Sequence, residues 1–223
     1  MILPDHIIKS SRKTLSLTIK KDGTIIVNAP NKMKDDIIKK FVEQKQGWLT
    51  AKLAFIRGNQ DKYSEVISYK KYLLFGQQYK LALADVKKTE VLNNSILIPQ
   101  KTDKEKISSA IISFYKKKAK DILNKRLLYL QSILKIKSKG FKISNSKGRW
   151  GSCSSNGIIT LNWRAVMVNP ACIDYIIVHE LCHLVEMNHS KRFWTLVETF
   201  LPNYNEQRQT LKEYGFLLEM YRN

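Results

Sequence analysis

Three of the four histidines in the chain fall within eleven residues, in the stretch Val178-His179-Glu180-Leu181-Cys182-His183-Leu184-Val185-Glu186-Met187-Asn188-His189. On a helix, residues four apart share a face, so His179 and His183 point the same way. At about 100° per residue, Glu180 lies roughly 60° to one side of His183. Two neutral imidazoles so placed can hold a zinc ion, with the carboxylate of Glu180 beside the metal's water site and off the metal. Carried on as a helix, His189 would end up roughly 280° round from His179. It becomes a third ligand only if the chain turns between Glu186 and Asn188, and Asn tolerates the left-handed conformation that suits such a turn. Glu186 lies almost directly above His179 on a continued helix and is the rival third ligand. The expected metal set is His179, His183 and His189, binding one Zn2+.

Three protein ligands leave a fourth position for water, the mark of a catalytic zinc site. The reaction expected is peptide hydrolysis through a metal-activated water, with Glu180 as general base. Arg149, Tyr175, Arg192 and Tyr204 are the candidates for stabilising an oxyanion, and the sequence does not choose among them. Cys153 is a weaker candidate, as a thiolate reaching the metal. Two other readings stand beside this one. A zinc hydrolase of non-peptide amides would use the same ligands. A basic nucleic-acid-associated protein with a secondary metal site would explain the charge and leave Glu180 without a role.

The spacing H-E-x-x-H-x5-H matches the ligand spacing of the metzincins, except that Glu186 stands where those enzymes have glycine. A wider resemblance rests on Arg149-Trp150-Gly151-Ser152-Cys153-Ser154, Leu161-Asn162-Trp163-Arg164, the histidine stretch, Asn188-His189-Ser190 and Phe193-Trp194. Weaker matches are Ser11-Arg12-Lys13-Thr14-Leu15-Ser16-Leu17, Asn28-Ala29-Pro30, Gly47-Trp48-Leu49 and Phe75-Gly76. Together these resemble the YgjP-like metallopeptidase family, related to the SprT and WLM zinc proteases. The resemblance implies a zincin-like catalytic half. It also implies that the strand around residues 158–163 aligns the substrate by main-chain pairing.

The positioning elements are read from pattern. Short alternating runs around Asp22-Gly23 predict a hairpin that Pro30 ends. Ile37, Ile38, Phe41, Val42, Trp48, Leu49 and Leu53 recur at helical spacing over residues 34–56, interrupted at Gly47. Residues 63–99 read as further strands, with turns at Gly76 and Asn93-Asn94. Thr102-x-x-Glu105 resembles a capping box before a long helix to about residue 134, with Ile107, Ile111, Phe114, Ile122 and Leu130 along its buried stripe. Asn156-Gly157 predicts a hairpin. Asn169-Pro170 supplies an N-cap and first turn for a helix that is apolar nearly all round and therefore buried. Ser190 caps the next helix, and a last one starts near residue 203. The fold class expected is α+β: a mostly β N-terminal half with a helix (residues 1–100), then a zincin-like metallopeptidase half (101–223).

The charge is uneven. Residues 1–100 carry +9, residues 101–147 carry +11, and residues 148–223 are neutral, giving the chain's net +20. Lys116-Lys117-Lys118 and Lys120 concentrate positive field on the long helix. Such a face favours weak, sequence-independent nucleic-acid binding, although lysine runs also serve simply as solvated surface. Composition is that of a globular chain, with 43% hydrophobic residues. No signal peptide and no bilayer-spanning run is read, and three cysteines form no disulfide framework, so a cytoplasmic location is expected.

Overall fold

The structure, a computed structural model, describes residues 1–20 and 22–221. It is an α+β protein of two compact units, Met1–Ile67 and Ser68–Asn223. In the first unit, β1 (His6–Ser10) pairs parallel with β3 (Ile25–Pro30), and β2 (Ser16–Ile19) pairs antiparallel on its other side. The predicted hairpin is β2–β3. Gly23 takes a positive φ of 91°, and the Asp22 carboxylate accepts from Thr24 N–H at 2.9 Å. Helices α1 (Asp35–Gln44) and α2 (Gln46–Lys62) come next, then the single turn α3 (Ser64–Ile67). Ile25, Val27, Ala29, Ile38, Val42 and Leu49 form this unit's core. The interruption expected at Gly47 falls at Lys45, which leaves helical geometry with ψ near 7°. A β-carbon on Gly47 would meet nothing within 4 Å, so close packing does not explain that glycine.

The second unit opens with a four-stranded sheet of β4 (Tyr72–Leu74), β5 (Gln77–Ala84), β6 (Glu90–Leu92) and β7 (Ser95–Pro99), in the order β4-β5-β7-β6. Its two expected turns both carry consecutive positive φ values, at Phe75-Gly76 and at Asn93-Asn94, as tight hairpins require. The boundary expected between residues 100 and 101 falls inside this unit. Phe75 and Gly76 N–H donate to the carbonyls of Val166 and Met167, and Tyr115 Oη donates to Leu73 O at 2.8 Å. These bonds fasten the sheet to the helical part of the same unit.

Helix α4 (Ile107–Leu134) spans 28 residues and ends at Lys135 in the left-handed region. The capping box at Thr102 does not form. A 3-10 turn at Lys104–Lys106 precedes the helix, with Lys106 paired to Asp103 instead. Ile111, Phe114 and Leu130 are buried as expected, while Ile107 and Ile122 are only partly so. Tyr115, Ala119, Leu123 and Leu127 carry the middle of the stripe, with Lys116, Lys117, Lys118 and Lys120 exposed around them.

The second small sheet contains β8 (Gly140–Ser144), β9 (Gly151–Cys153) and β10 (Ile158–Asn162), in the order β8-β10-β9. Gly157, with φ 77°, completes the predicted turn into β10. Then come α5 (Pro170–Cys182), α6 (Lys191–Phe200) and α7 (Tyr204–Glu213). Asn169 Oδ1 caps α5 by accepting from Cys172 N–H at 2.8 Å, with Pro170 in the first turn. Nine of α5's thirteen residues are buried, among them Ile173, Ile177, Val178 and Leu181, as its apolar circumference requires. Arg126 of α4 grips Asp174 of α5 through two hydrogen bonds of 2.6 and 2.7 Å. No helix among the described residues is long and apolar enough to cross a membrane.

Candidate metal centre

Helix α5 ends at Cys182, and His183 is its C-cap. Leu184 N–H then donates to Leu181 O, and Val185 and Glu186 N–H to Cys182 O, which turns the chain off the helix axis. Asn188 has no positive φ, so the turn is made by these main-chain bonds without a left-handed residue. Ser190 caps α6 by accepting from Phe193 N–H. His189, between turn and cap, is brought back to the histidine face of α5, where its Nε2 lies 3.1 Å from His179 Nε2.

His179, His183 and His189 each offer a ring nitrogen within 4.8 Å of the other two. His183 Nδ1 lies 3.2 Å from the Glu186 carbonyl, which aims its other nitrogen at the cluster. Glu186 therefore contributes its main chain here, and its carboxylate is not in the cluster. Nor is Cys153, whose thiol pKa is raised by burial and by the neighbouring Glu180 charge. Zinc–imidazole bonds of about 2.0–2.1 Å at a tetrahedral angle put ligand nitrogens roughly 3.3 Å apart. The 3.1 Å spacing of His179 and His189 fits a zinc ion.

The imidazoles rest on a shared floor. Phe193, fully buried, has its ring centroid 4.9 Å from His179, 4.5 Å from His183 and 4.8 Å from His189. Burial, then the two other imidazoles and Arg208, lower the His179 pKa to about 3. Burial also lowers that of His183. Both rings are thus neutral at neutral pH and free to donate lone pairs to a cation.

Glu180 is 6% exposed, and burial raises its pKa to about 7, with Arg149 pulling the other way. A carboxylate near 7 suits proton transfer at neutral pH. Arg149 owes its place to the motif around β10. Asn162, fully buried, donates from Nδ2 to the carbonyls of Ser146 and Arg149 and accepts on Oδ1 from Arg164 N–H. Trp163 Nε1 and Arg164 Nη1 both donate to Asn145 Oδ1. Arg164, itself buried, also donates to the carbonyl of Met220. The Leu161-Asn162-Trp163-Arg164 stretch is thus the scaffold for the loop that brings Arg149 and Gly151 to Glu180.

Of the four oxyanion candidates, Arg149 stands beside Glu180. Tyr175 is buried with its ring 5.7 Å from His179, and Tyr204 stacks on Tyr175 and on Trp194. Arg192 is exposed on α6 with no contact to the cluster among the described residues. Sequence reasoning missed Arg208, on α7, whose guanidinium sits over Trp194 at 4.6 Å. It also missed that Gly151 touches Glu180, a contact between elements that no local pattern encodes.

One expectation is corrected. The strand around residues 158–163 cannot align a substrate, because β10 is the middle strand and has β8 on one side and β9 on the other. The open edge beside the site belongs to β9, which packs on α5 with Gly151 against Glu180.

A family model for the YgjP-like metallopeptidase domain matches residues 13–214. The chain belongs to the YgjP-like family. The match runs through both compact units and takes in every residue of the histidine cluster. The chain is also similar to the solved metallopeptidase zymogen abylysin from Pyrococcus abyssi, at 25% identity over 45% of this chain and 97% of that one, with a TM-score of 0.38. No curated protein matches it.

Proposed function

We propose that the chain is a zinc-dependent peptidase that binds one zinc ion through His179, His183 and His189 and uses Glu180 as general base. The single observation that carries this reading is the convergence of three imidazoles beside a buried carboxylate, within a YgjP-like metallopeptidase domain. Zinc, when bound, supplies Lewis acidity, which makes water a nucleophile near neutral pH and polarises a carbonyl.

The rest is done by the chain. Glu180 takes a proton from the attacking water and returns it to the leaving amine, and its raised pKa keeps both transfers within reach. Arg149, held by Asn162, supports the ionised form of Glu180 before the proton moves. Tyr175, its hydroxyl pKa pushed up to about 12 by burial, stays protonated and is the best-placed phenol to donate to a developing oxyanion. The β9 edge orients the peptide. Trp150 O and Ser154 N–H are bonded towards β10, so strand alternation turns the main-chain groups of Gly151 and Cys153 to the open edge, next to Glu180. An extended peptide added there would lie alongside the general base.

The test is hydrolysis of an unstructured protein such as casein by the zinc-loaded chain. The expected result is activity that a chelator removes and zinc restores, and that Glu180→Gln loses while keeping its zinc. Full activity in Glu180→Gln would overturn the assignment of the base.

A second, subordinate reading concerns a polyanionic partner. It is supported by the exposure of Lys116, Lys117, Lys118 and Lys120 on one helix, none of them paired with an acid among the described residues. DNA binding at low salt that falls steeply with added salt and with glutamine at these four positions is the expected outcome. Binding indifferent to both would dismiss it.

A further inference from the structure

Beyond the triad, aromatic rings run from the histidine cluster to a cation that has no acid partner among the described residues. His179 and His189 lie 5.0 Å apart by ring centroid. His189 stacks on Trp194 at 5.6 Å and 23°, and Trp194 on Tyr204 at 5.4 Å and 17°. Tyr204 stacks on Tyr175 at 6.5 Å and 17°, and Tyr175 meets His179 edge-on at 5.7 Å. The five rings close a circle drawn from α5, α6, α7 and the turn before α6.

Arg208 lies one helical turn beyond Tyr204 on α7, so both face the same way. Its guanidinium is set over Trp194, and no carboxylate pairs with it among the described residues. Stacking occupies a face of the guanidinium and leaves the N–H edge free, and it holds the fork in place before any ligand arrives. The charge is near enough to the centre to act on both His179 and Tyr175. The two cations therefore serve different parts of the site, Arg149 acting on Glu180 and Arg208 on His179 and Tyr175.

We propose that Arg208 is the substrate-carboxylate residue of this site, its fork presented by Trp194 to a carboxylate of a peptide lying across the triad. Carboxylate and guanidinium match in planar two-point geometry, which an amide does not reproduce. The carboxylate comes either from the peptide's C-terminus or from an acidic side chain beside the scissile bond. This rests on the peptidase reading of the same centre.

The test is equilibrium binding, measured by calorimetry on zinc-loaded protein carrying Glu180→Gln so that the probes survive. The probes are one blocked alanine–phenylalanine hexapeptide in four forms. These are a C-terminal carboxamide, a C-terminal carboxylate, and carboxamides with an internal glutamate or glutamine. We expect one of the two carboxylate forms to bind about tenfold tighter than its neutral counterpart, as a charge-assisted hydrogen bond gives. Which form it is identifies the source. Adding Arg208→Gln should erase that difference while leaving the neutral peptides' affinity and the melting temperature unchanged.

Three results would overturn the proposal. They are no preference for either carboxylate in the parent protein, a preference that survives Arg208→Gln, and an equal loss for charged and neutral peptides, which would make Arg208 a packing residue for α7. Cleavage by the chain with Glu180 intact is assayed separately. Carboxylate preference without cleavage of any probe or of casein would sink the peptidase reading and leave Arg208 as a carboxylate-binding residue alone.

Discussion

A β-carbon placed on Gly151 would lie 2.7 Å from both Cγ and Oε1 of Glu180. The first residue of an edge strand and the carboxylate proposed as general base thus share a space that admits no side chain, and Glu180 is buried, 6% exposed. We expect Gly151→Ala to lower turnover on peptides by at least tenfold, because a displacement of about 1 Å in a catalytic group costs that much or more. Zinc content should stay stoichiometric, since the atoms nearest that β-carbon all belong to Glu180. Undiminished turnover would show that the carboxylate position is not set by this contact.

The third ligand is decided by a pair of variants. His189 Nε2 is 3.1 Å from His179 Nε2, whereas Glu186 meets the cluster only through its carbonyl. His189→Ala is expected to emerge from dialysis depleted of zinc, and Glu186→Gln to retain it. The reverse pattern in metal analysis would give the site to Glu186.

How far the sequence could be read depends on the range of each contact. His179 and His183 were legible because helix geometry alone fixes residues four apart. The caps at Asn169 and Ser190 were legible because each side chain serves its own next turn. His189 was half legible: the need for a turn was clear, but main-chain bonds to Leu181 and Cys182 make it, without the left-handed asparagine expected. The substrate edge was misread because alternation marks a strand and says nothing of its neighbours, so β10 passed for an edge. The positions of Gly151 beside Glu180 and of Arg208 over Trp194 were not legible. Their meaning lies in contacts with Glu180 and Trp194, which only tertiary packing creates.

The Glu180 pKa predicts a pH signature in the metal-free protein. Burial raises it from 4.5 to about 7, so the folded state binds this proton more tightly than the unfolded chain does. That stabilisation is fully present below the unfolded value near 4.5 and is lost as pH rises through about 7. His179, whose pKa is depressed, works in the opposite sense, but it is common to both proteins compared. Against Glu180→Gln, the metal-free parent should therefore lose roughly 3 kcal/mol of stability between about pH 4 and pH 8. Denaturant midpoints in chelator would measure it, and a difference independent of pH would show that Glu180 titrates normally.

The last prediction concerns Asn162, a buried side chain that touches neither the histidines nor Glu180. It holds two carbonyls, of Ser146 and Arg149, and one N–H, of Arg164. Asn162→Ala removes a partner from all three. Leaving buried polar groups unpaired costs about 1–3 kcal/mol each, with partial relief where water enters, so a loss of roughly 3 kcal/mol is expected. The functional consequence should exceed the stability one. With its carbonyl released, Arg149 leaves Glu180, and the loop carrying Gly151 loses its register against α5. Under conditions where the variant is still fully folded, turnover should fall well below that of the parent while zinc content is unchanged. Retention of full activity by folded Asn162→Ala would mean that the loop is held by β9–β10 pairing alone.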